Sequence, residues 1–190
     1  MLMPPRFFEL ADDVEVPHRW HLDTPLDNQG RRVRDWDFKR GKPMHVEGRL
    51  KIPVEIAGRP LDFSEAGIRI PVVHVKVANV LLSELAPGDV QLIPADIQGQ
   101  PEQYLVLVAT RLVRCIDEQE SEVSFWKPEH GVPDKVGQYM GVDRLRIDKA
   151  KVGDAKVLRP EGWSGTLIVS GELKDALERI GATGTRFTEV

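Results

Sequence analysis

Few residues in this chain have the type and spacing that chemistry requires. Asp35-Trp36-Asp37 places two carboxylates two positions apart, the pairing that holds a divalent cation in some glycosyl transferases. Arg31, Arg32, Arg34, Lys39, Arg40 and Lys42 flank it, so the carboxylates are expected to pair with these cations in a solvated, charge-mixed loop or edge. His18 and His21 would share a face only in a helix. Pro17 and Pro25 argue for extended chain, where the two rings diverge and joint metal ligation is poor. Cys115 follows Arg114, and a neighbouring cation can lower a thiol pKa. Strand alternation, however, puts Cys115 on the apolar side with Val113, so a buried, inert thiol is expected. Gly162-Trp163-Ser164-Gly165 lacks the second spacer of a nucleophile elbow, and the sequence contains no phosphate-binding loop, dinucleotide fingerprint or His-Glu-x-x-His. No catalytic, metal or cofactor residues are therefore assigned.

Two stretches suit binding better. Residues 31–42 carry a formal charge of +4 with Trp36 and Phe38 interleaved, the aromatic and arginine mixture of interface hot spots. Arg34, Trp36 and Arg40 are its candidate contact residues. Residues 117–129 carry Asp117, Glu118, Glu120, Glu122 and Glu129 against Lys127, with Phe125 and Trp126 in the middle. Glu118, Glu120, Glu122 and Trp126 are the candidates there. Large rings in turn-rich segments require packing partners.

The elements that must position these residues are short, because 14 prolines and 16 glycines punctuate all 190 positions. Extended pieces are predicted at 7–10, 19–22 and 45–56, with a turn at Asp27-Asn28-Gln29-Gly30. In the third piece Val46, Leu50, Ile52, Val54 and Ile56 share a parity, and Pro53 demands an edge or a bend. A buried strand is predicted from Ile70 to Val77. Val77, Val80, Leu81 and Leu85 then fit a helix that Pro87-Gly88 stops. Gln103 to Asp117 reads as one long or bent strand, central at Tyr104–Val108 and emerging towards solvent after Arg111. At the end, a strand at 167–170 leads into a helix capped by Ser170, with Leu173, Ala176, Leu177 and Ile180 inward and Gly181 as its stop. A terminal strand at 187–190 follows. The predicted class is α+β: a mainly antiparallel sheet with two or more short helices in a single domain over 1–190, strand- and turn-rich over 1–70 and core-forming over 71–190.

Composition agrees with such a domain. Hydrophobic residues make up 41% and charged residues 29%, and a chain of this length buries about 70% of its extended surface. The net charge of −4 is evenly spread, with 13 basic and 15 acidic residues on each side of residue 100. That disfavours non-specific nucleic-acid binding, which needs clustered cations. Neither a signal peptide nor a membrane-spanning run is legible, so a cytoplasmic protein is expected. One cysteine excludes an intramolecular disulfide.

Several segments together resemble a known family. They are Gly131-Val-Pro-Asp-Lys-Val-Gly-Gln-Tyr139, Leu145-Arg-Ile-Asp148, Gly162-Trp163, Leu167-Ile-Val-Ser170 and Ala182-Thr-Gly184 through Phe187 to Val190, with the earlier Asp89-Val-Gln-Leu-Ile-Pro94 and Cys115-Ile-Asp117. They are similar to bacterial immunity proteins of polymorphic-toxin systems, most specifically between Asp89 and Val190. The resemblance implies a non-enzymatic cytoplasmic protein that is encoded beside a toxin gene and blocks the cognate toxin by binding it. If the toxin is a nuclease with a basic groove, the acidic stretch would mimic phosphates; if its surface is acidic, residues 31–42 are the better match. Two other readings stay open from the residues: a small hydrolase or transferase built around Asp35, Asp37 and a histidine, and a ligand-binding module whose aromatics line a pocket.

Overall fold

A computed structural model describes residues 4–84 and 88–190. Its strands run β1 (Phe7–Asp12), β2 (His21–Leu22), β3 (Leu50–Ile52), β4 (Val54–Ile56), β5 (Phe63–Ala66), β6 (Ile70–His74), β7 (Val90–Ile97), β8 (Tyr104–Ala109), β9 (Leu112–Val113), β10 (Glu122–Phe125), β11 (Tyr139–Asp143), β12 (Val157–Pro160), β13 (Ile168–Ser170) and β14 (Thr185–Glu189). Two α-helices, α1 (Val75–Glu84) and α2 (Gly171–Arg179), complete a single α+β domain. Pairing is antiparallel apart from β2 with β5, β3 with β7 and β9 with β12.

Seven strands form one sheet in the order β3-β7-β8-β6-β5-β2-β4. β3 and β4 stand at opposite ends of that order although Pro53 alone separates them, so the sheet closes on itself as a small barrel. Backbone bonds on both sides of the bend seal it: the Asp23 amide donates to the Pro53 carbonyl at 2.9 Å, and the Gln98 amide to the Ile52 carbonyl at 3.0 Å. Proline suits the bend because it has no N–H to lose. The bend also ends the shared face expected over 46–56: Leu50 and Ile52 are buried, whereas Ile56 is 56% exposed.

Alternation fills the barrel. Leu50, Ile52, Ile70, Val72, Ile93, Ala95, Ile97, Tyr104, Val106 and Val108 point inward, and Trp20 donates its indole N–H to Ser64 at 2.8 Å. The alternate residues Phe63, Val73, Leu107 and Ala109 face outward against α1, α2 and one face of the second sheet, β14-β1-β13-β12-β9. Behind that sheet a third cluster gathers Phe7, Cys115, Ile116, Leu145, Ile147, Leu158 and Ile168. β10 and β11 form a separate two-stranded ribbon.

Helix α2 follows the sequence pattern: the Ser170 hydroxyl accepts from the Leu173 amide, Leu173, Ala176 and Leu177 are buried, and Gly181 takes φ +64°. Ile180, expected inward, is 38% exposed because it caps the helix and has left the buried stripe. Helix α1 begins two residues before the end of the predicted strand, since His74 Nδ1 accepts the Lys76 amide and turns the chain into a helix. Of that helix's expected stripe and stop signal, Leu85 and Pro87 lie outside the described residues. The long strand predicted over 103–117 is divided between the two sheets at Thr110–Arg111. The second half emerges towards solvent at Leu112 and Arg114, as expected, and then turns inward to bury Cys115 and Ile116 in the third cluster.

Candidate partner-binding surfaces

The segment after the Asp27–Gly30 turn is solvated and charge-mixed, as its sequence suggests, except where Phe38 and Lys39 turn inward. Asp35–Lys39 forms a 3-10 turn, with Phe38 and Lys39 buried and Phe38 packed among the barrel's inner side chains. Asp35 fixes the turn by accepting the Ile68 amide at 2.5 Å and the Thr24 hydroxyl at 3.3 Å. Asp37 pairs with Arg34 at 3.2 Å and with Arg40 at 2.5 Å. Arg31 and Arg32 are likewise bonded to Asp27 and Asp23. The arginines are thus locally neutralised, and Lys39 is withdrawn from the surface altogether. Burying Phe38 turns Trp36 outward. It is 59% exposed, and Ile68, whose amide holds Asp35, is 68% exposed. A cleft of about 360 Å³ adjoins, lined by Arg31, Arg32, Arg34, Asp37, Met44 and His45 among others.

The acidic stretch is organised differently. Asp117 caps its own turn by accepting the Gln119 and Glu120 amides. Glu118 accepts the Tyr139 hydroxyl at 2.6 Å, and Glu122 pairs with Arg144 at 3.1 Å across the ribbon. Burial and the Glu118 carboxylate together push the Tyr139 phenol up to about 12, so it remains a hydrogen-bond donor. Phe125 stacks on Tyr139 with ring centres 5.2 Å apart. Trp126 is half-buried, its ring edge-on to His130 at 5.7 Å and under the Lys135 ammonium at 5.0 Å. These aromatics have packing partners inside the chain, whereas Glu118, Glu120 and Glu122 are exposed.

Asp35 and Asp37 point to different partners, as above, and among the described residues no three His, Cys, Asp or Glu side chains gather to hold a metal. Cys115 is buried, and desolvation raises its thiol to about 11, far from a reactive thiolate. His18 sits in the left-handed region at φ +56° and is exposed, apart from the half-buried His21.

One charged group escapes a reading by motif. Asp12 and Glu65 face each other between the barrel and the second sheet, bordered by Arg19, which pairs with Asp12 at 2.7 Å, and Arg69, which pairs with Glu9 at 2.7 Å and Glu65 at 3.7 Å. Desolvation first, then the Asp12 charge and a hydrogen bond shared with it, raise Glu65 to about 7. The only sequence signal was parity: Asp12 shares its face with Phe8 and Leu10, and Glu65 with Phe63, which are core positions.

The segments that carry the family resemblance prove architectural. Asp89 is fully buried and accepts the Lys156 amide at 2.8 Å, the Val157 amide at 3.4 Å and an Arg111 N–H at 3.4 Å, tying β7 to β12. A side chain at Gly162 would lie 2.9 Å from the Tyr139 ring, and one at Gly184 would lie 2.2 Å from the Phe63 carbonyl. Asp62 secures the same junction by accepting the Thr183 amide and hydroxyl, each at 2.8 Å. No helix among the described residues is long and apolar enough to cross a membrane.

No curated protein matches the chain. A family model does, over residues 85–190, a span that includes β7 to β14 and every architectural segment just described except Asp62. With more than half of its length matched, the chain belongs to the Immunity protein family (Imm11).

Proposed function

We propose that this immunity protein neutralises a cognate protein toxin, encoded beside it, by non-covalent blockade in the cytoplasm of the producing cell, and that the toxin docks on the Trp36 face. The observation that carries the choice of face is an exposed tryptophan and an exposed isoleucine on two segments that Asp35 ties together through the Ile68 amide. A large ring held rigidly in the open loses little entropy on binding, and the paired arginines around it form the polar rim that excludes water from a hot spot. This face lies outside residues 85–190, which fits a shared scaffold carrying a separate recognition surface.

The acidic ribbon is a second reading for a toxin with a basic groove. It is favoured by the side-by-side exposure of Glu118, Glu120 and Glu122, and weakened by the internal pairing of two of them. An immunity role that acts by binding asks no chemistry of either surface.

The two faces separate by mutation. Trp36→Ala removes an exposed side chain and leaves Phe38 in the barrel, so the fold should persist while binding to the cognate toxin weakens at least about 30-fold. Charge reversal at Glu118, Glu120 and Glu122 should leave that complex intact if the Trp36 face is the dock. The opposite pattern transfers the site to the ribbon.

A further inference from the structure

Arg159 lies on β12, between the second sheet and the barrel, and is fully buried. Its Nη1 donates to the Ser164 carbonyl at 2.8 Å. Nε and Nη2 have no hydrogen-bond partner in the chain among the described residues. Those two nitrogens form one edge of the guanidinium, the fork that grips an anion with two parallel N–H bonds. Buried N–H groups of this kind are nearly always satisfied, so an orphaned pair calls for an occupant.

A second cation stands nearby. Lys39 is 5% exposed, and its segment packs on the same edge: a side chain on Gly41 would lie 2.6 Å from Leu112, the residue that pairs with Arg159 in the β9–β12 ladder. Among the described residues, no carboxylate oxygen comes within 4.0 Å of either cation. Glu65 bears on both cations and Asp35 on Lys39, with Arg69 adding a further positive charge near both. Glu65 is already engaged by Asp12 and Arg69, and Asp35 by the Ile68 amide and the Thr24 hydroxyl. Water could satisfy the N–H groups but would leave both buried cations with no acid in direct contact, which an anion at the fork would supply.

We propose that the Nε/Nη2 fork of Arg159, with Lys39 beside it, is a binding site for a small monovalent anion of halide size, which locks the second sheet to the barrel. Full burial rules out a side chain of a partner protein, so the occupant is a small ion. The site is independent of toxin recognition, because Arg159 is inaccessible and Trp36 faces away from the interior.

The direct test is bromide. Crystals of the whole chain soaked in sodium bromide should show an anomalous peak within hydrogen-bonding reach of both Nε and Nη2 of Arg159. In solution, the thermal midpoint should climb with chloride at constant ionic strength made up with gluconate, as expected for a ligand that binds only the folded state. Lys39→Met, which keeps the length of the stem, should shift the chloride concentration needed for half the effect about tenfold upward, and Arg159→Met should abolish the dependence. A water refined at the fork with no bromide peak overturns the proposal. So does a chloride response that survives unchanged in Lys39→Met; this variant keeps the proposal falsifiable if Arg159→Met does not fold.

Discussion

Glu65→Gln isolates the buried carboxyl pair between barrel and sheet. In the folded protein Glu65 is raised from the ordinary 4.5 to about 7, by burial and by Asp12. Below pH 4.5 the group is protonated both folded and unfolded, and its full contribution is present. Between pH 4.5 and 7 the unfolded chain ionises and the native one does not, so native stability falls by about 1.4 kcal/mol per pH unit. Across that window the loss amounts to about 3 kcal/mol, after which the curve levels. Glutamine keeps the shape, carries no charge, and can still donate to Asp12. Subtracting wild-type from variant stability cancels the carboxylates that titrate in the opposite sense at lower pH, such as Asp23 and Asp27, which backbone amides hold low. The difference should therefore rise by about 3 kcal/mol from pH 4.5 to 7.5, the Arg69 attraction being already contained in the folded-state value. Urea unfolding at half-unit pH steps measures it. A flat or falling difference curve would refute the assignment of Glu65 as a buried neutral acid.

Other consequences follow from single contacts. Gly184→Ala combines φ +85° with a side chain 2.2 Å from a carbonyl and should cost well over 2 kcal/mol, whereas Gly181→Ala, with nothing within 4 Å, should cost about 1 kcal/mol by denaturant unfolding. Asp89→Ala strands two amides and one arginine N–H and should cost about 3 kcal/mol or more, visible as a lower thermal midpoint with an unchanged urea slope. Charge reversal of Glu118, Glu120 and Glu122 together should change toxin affinity less than threefold at low salt, where exposed charges act most strongly; a larger loss measured by calorimetry would move the dock to the ribbon.

How much of this was legible depended on how local the cause was. Helix α2 could be read almost whole, because its cap, its stripe through Leu177 and its stop all lie within twelve residues; only Ile180 left the stripe. The central strand β8 could be read because it is apolar on both faces. Barrel closure could not: Pro53 announced a bend, but that β3 and β4 lie at opposite ends of one sheet depends on pairing with β7 and β2, distant in sequence. The break at Thr110–Arg111 was hidden for the same reason, since each half has a good strand pattern and only tertiary pairing assigns them to different sheets. In the candidate face, Trp36 was picked out by type, but its orientation follows from Phe38 entering the barrel, which composition does not encode. Lys39 and Arg159 were invisible as a pair because buried cations on separate elements carry no motif.

The measurement that bears most directly on the central claim is co-expression with the proposed cognate toxin, followed by affinity measurement on the purified pair, for the wild type and Trp36→Ala. Docking through Trp36 predicts growth rescue by a stable complex, and a variant that remains folded but binds at least about 30-fold more weakly, the loss of roughly 2 kcal/mol expected when a hot-spot tryptophan is removed. Rescue without a complex would contradict blockade by binding, and a complex indifferent to Trp36→Ala would contradict the face.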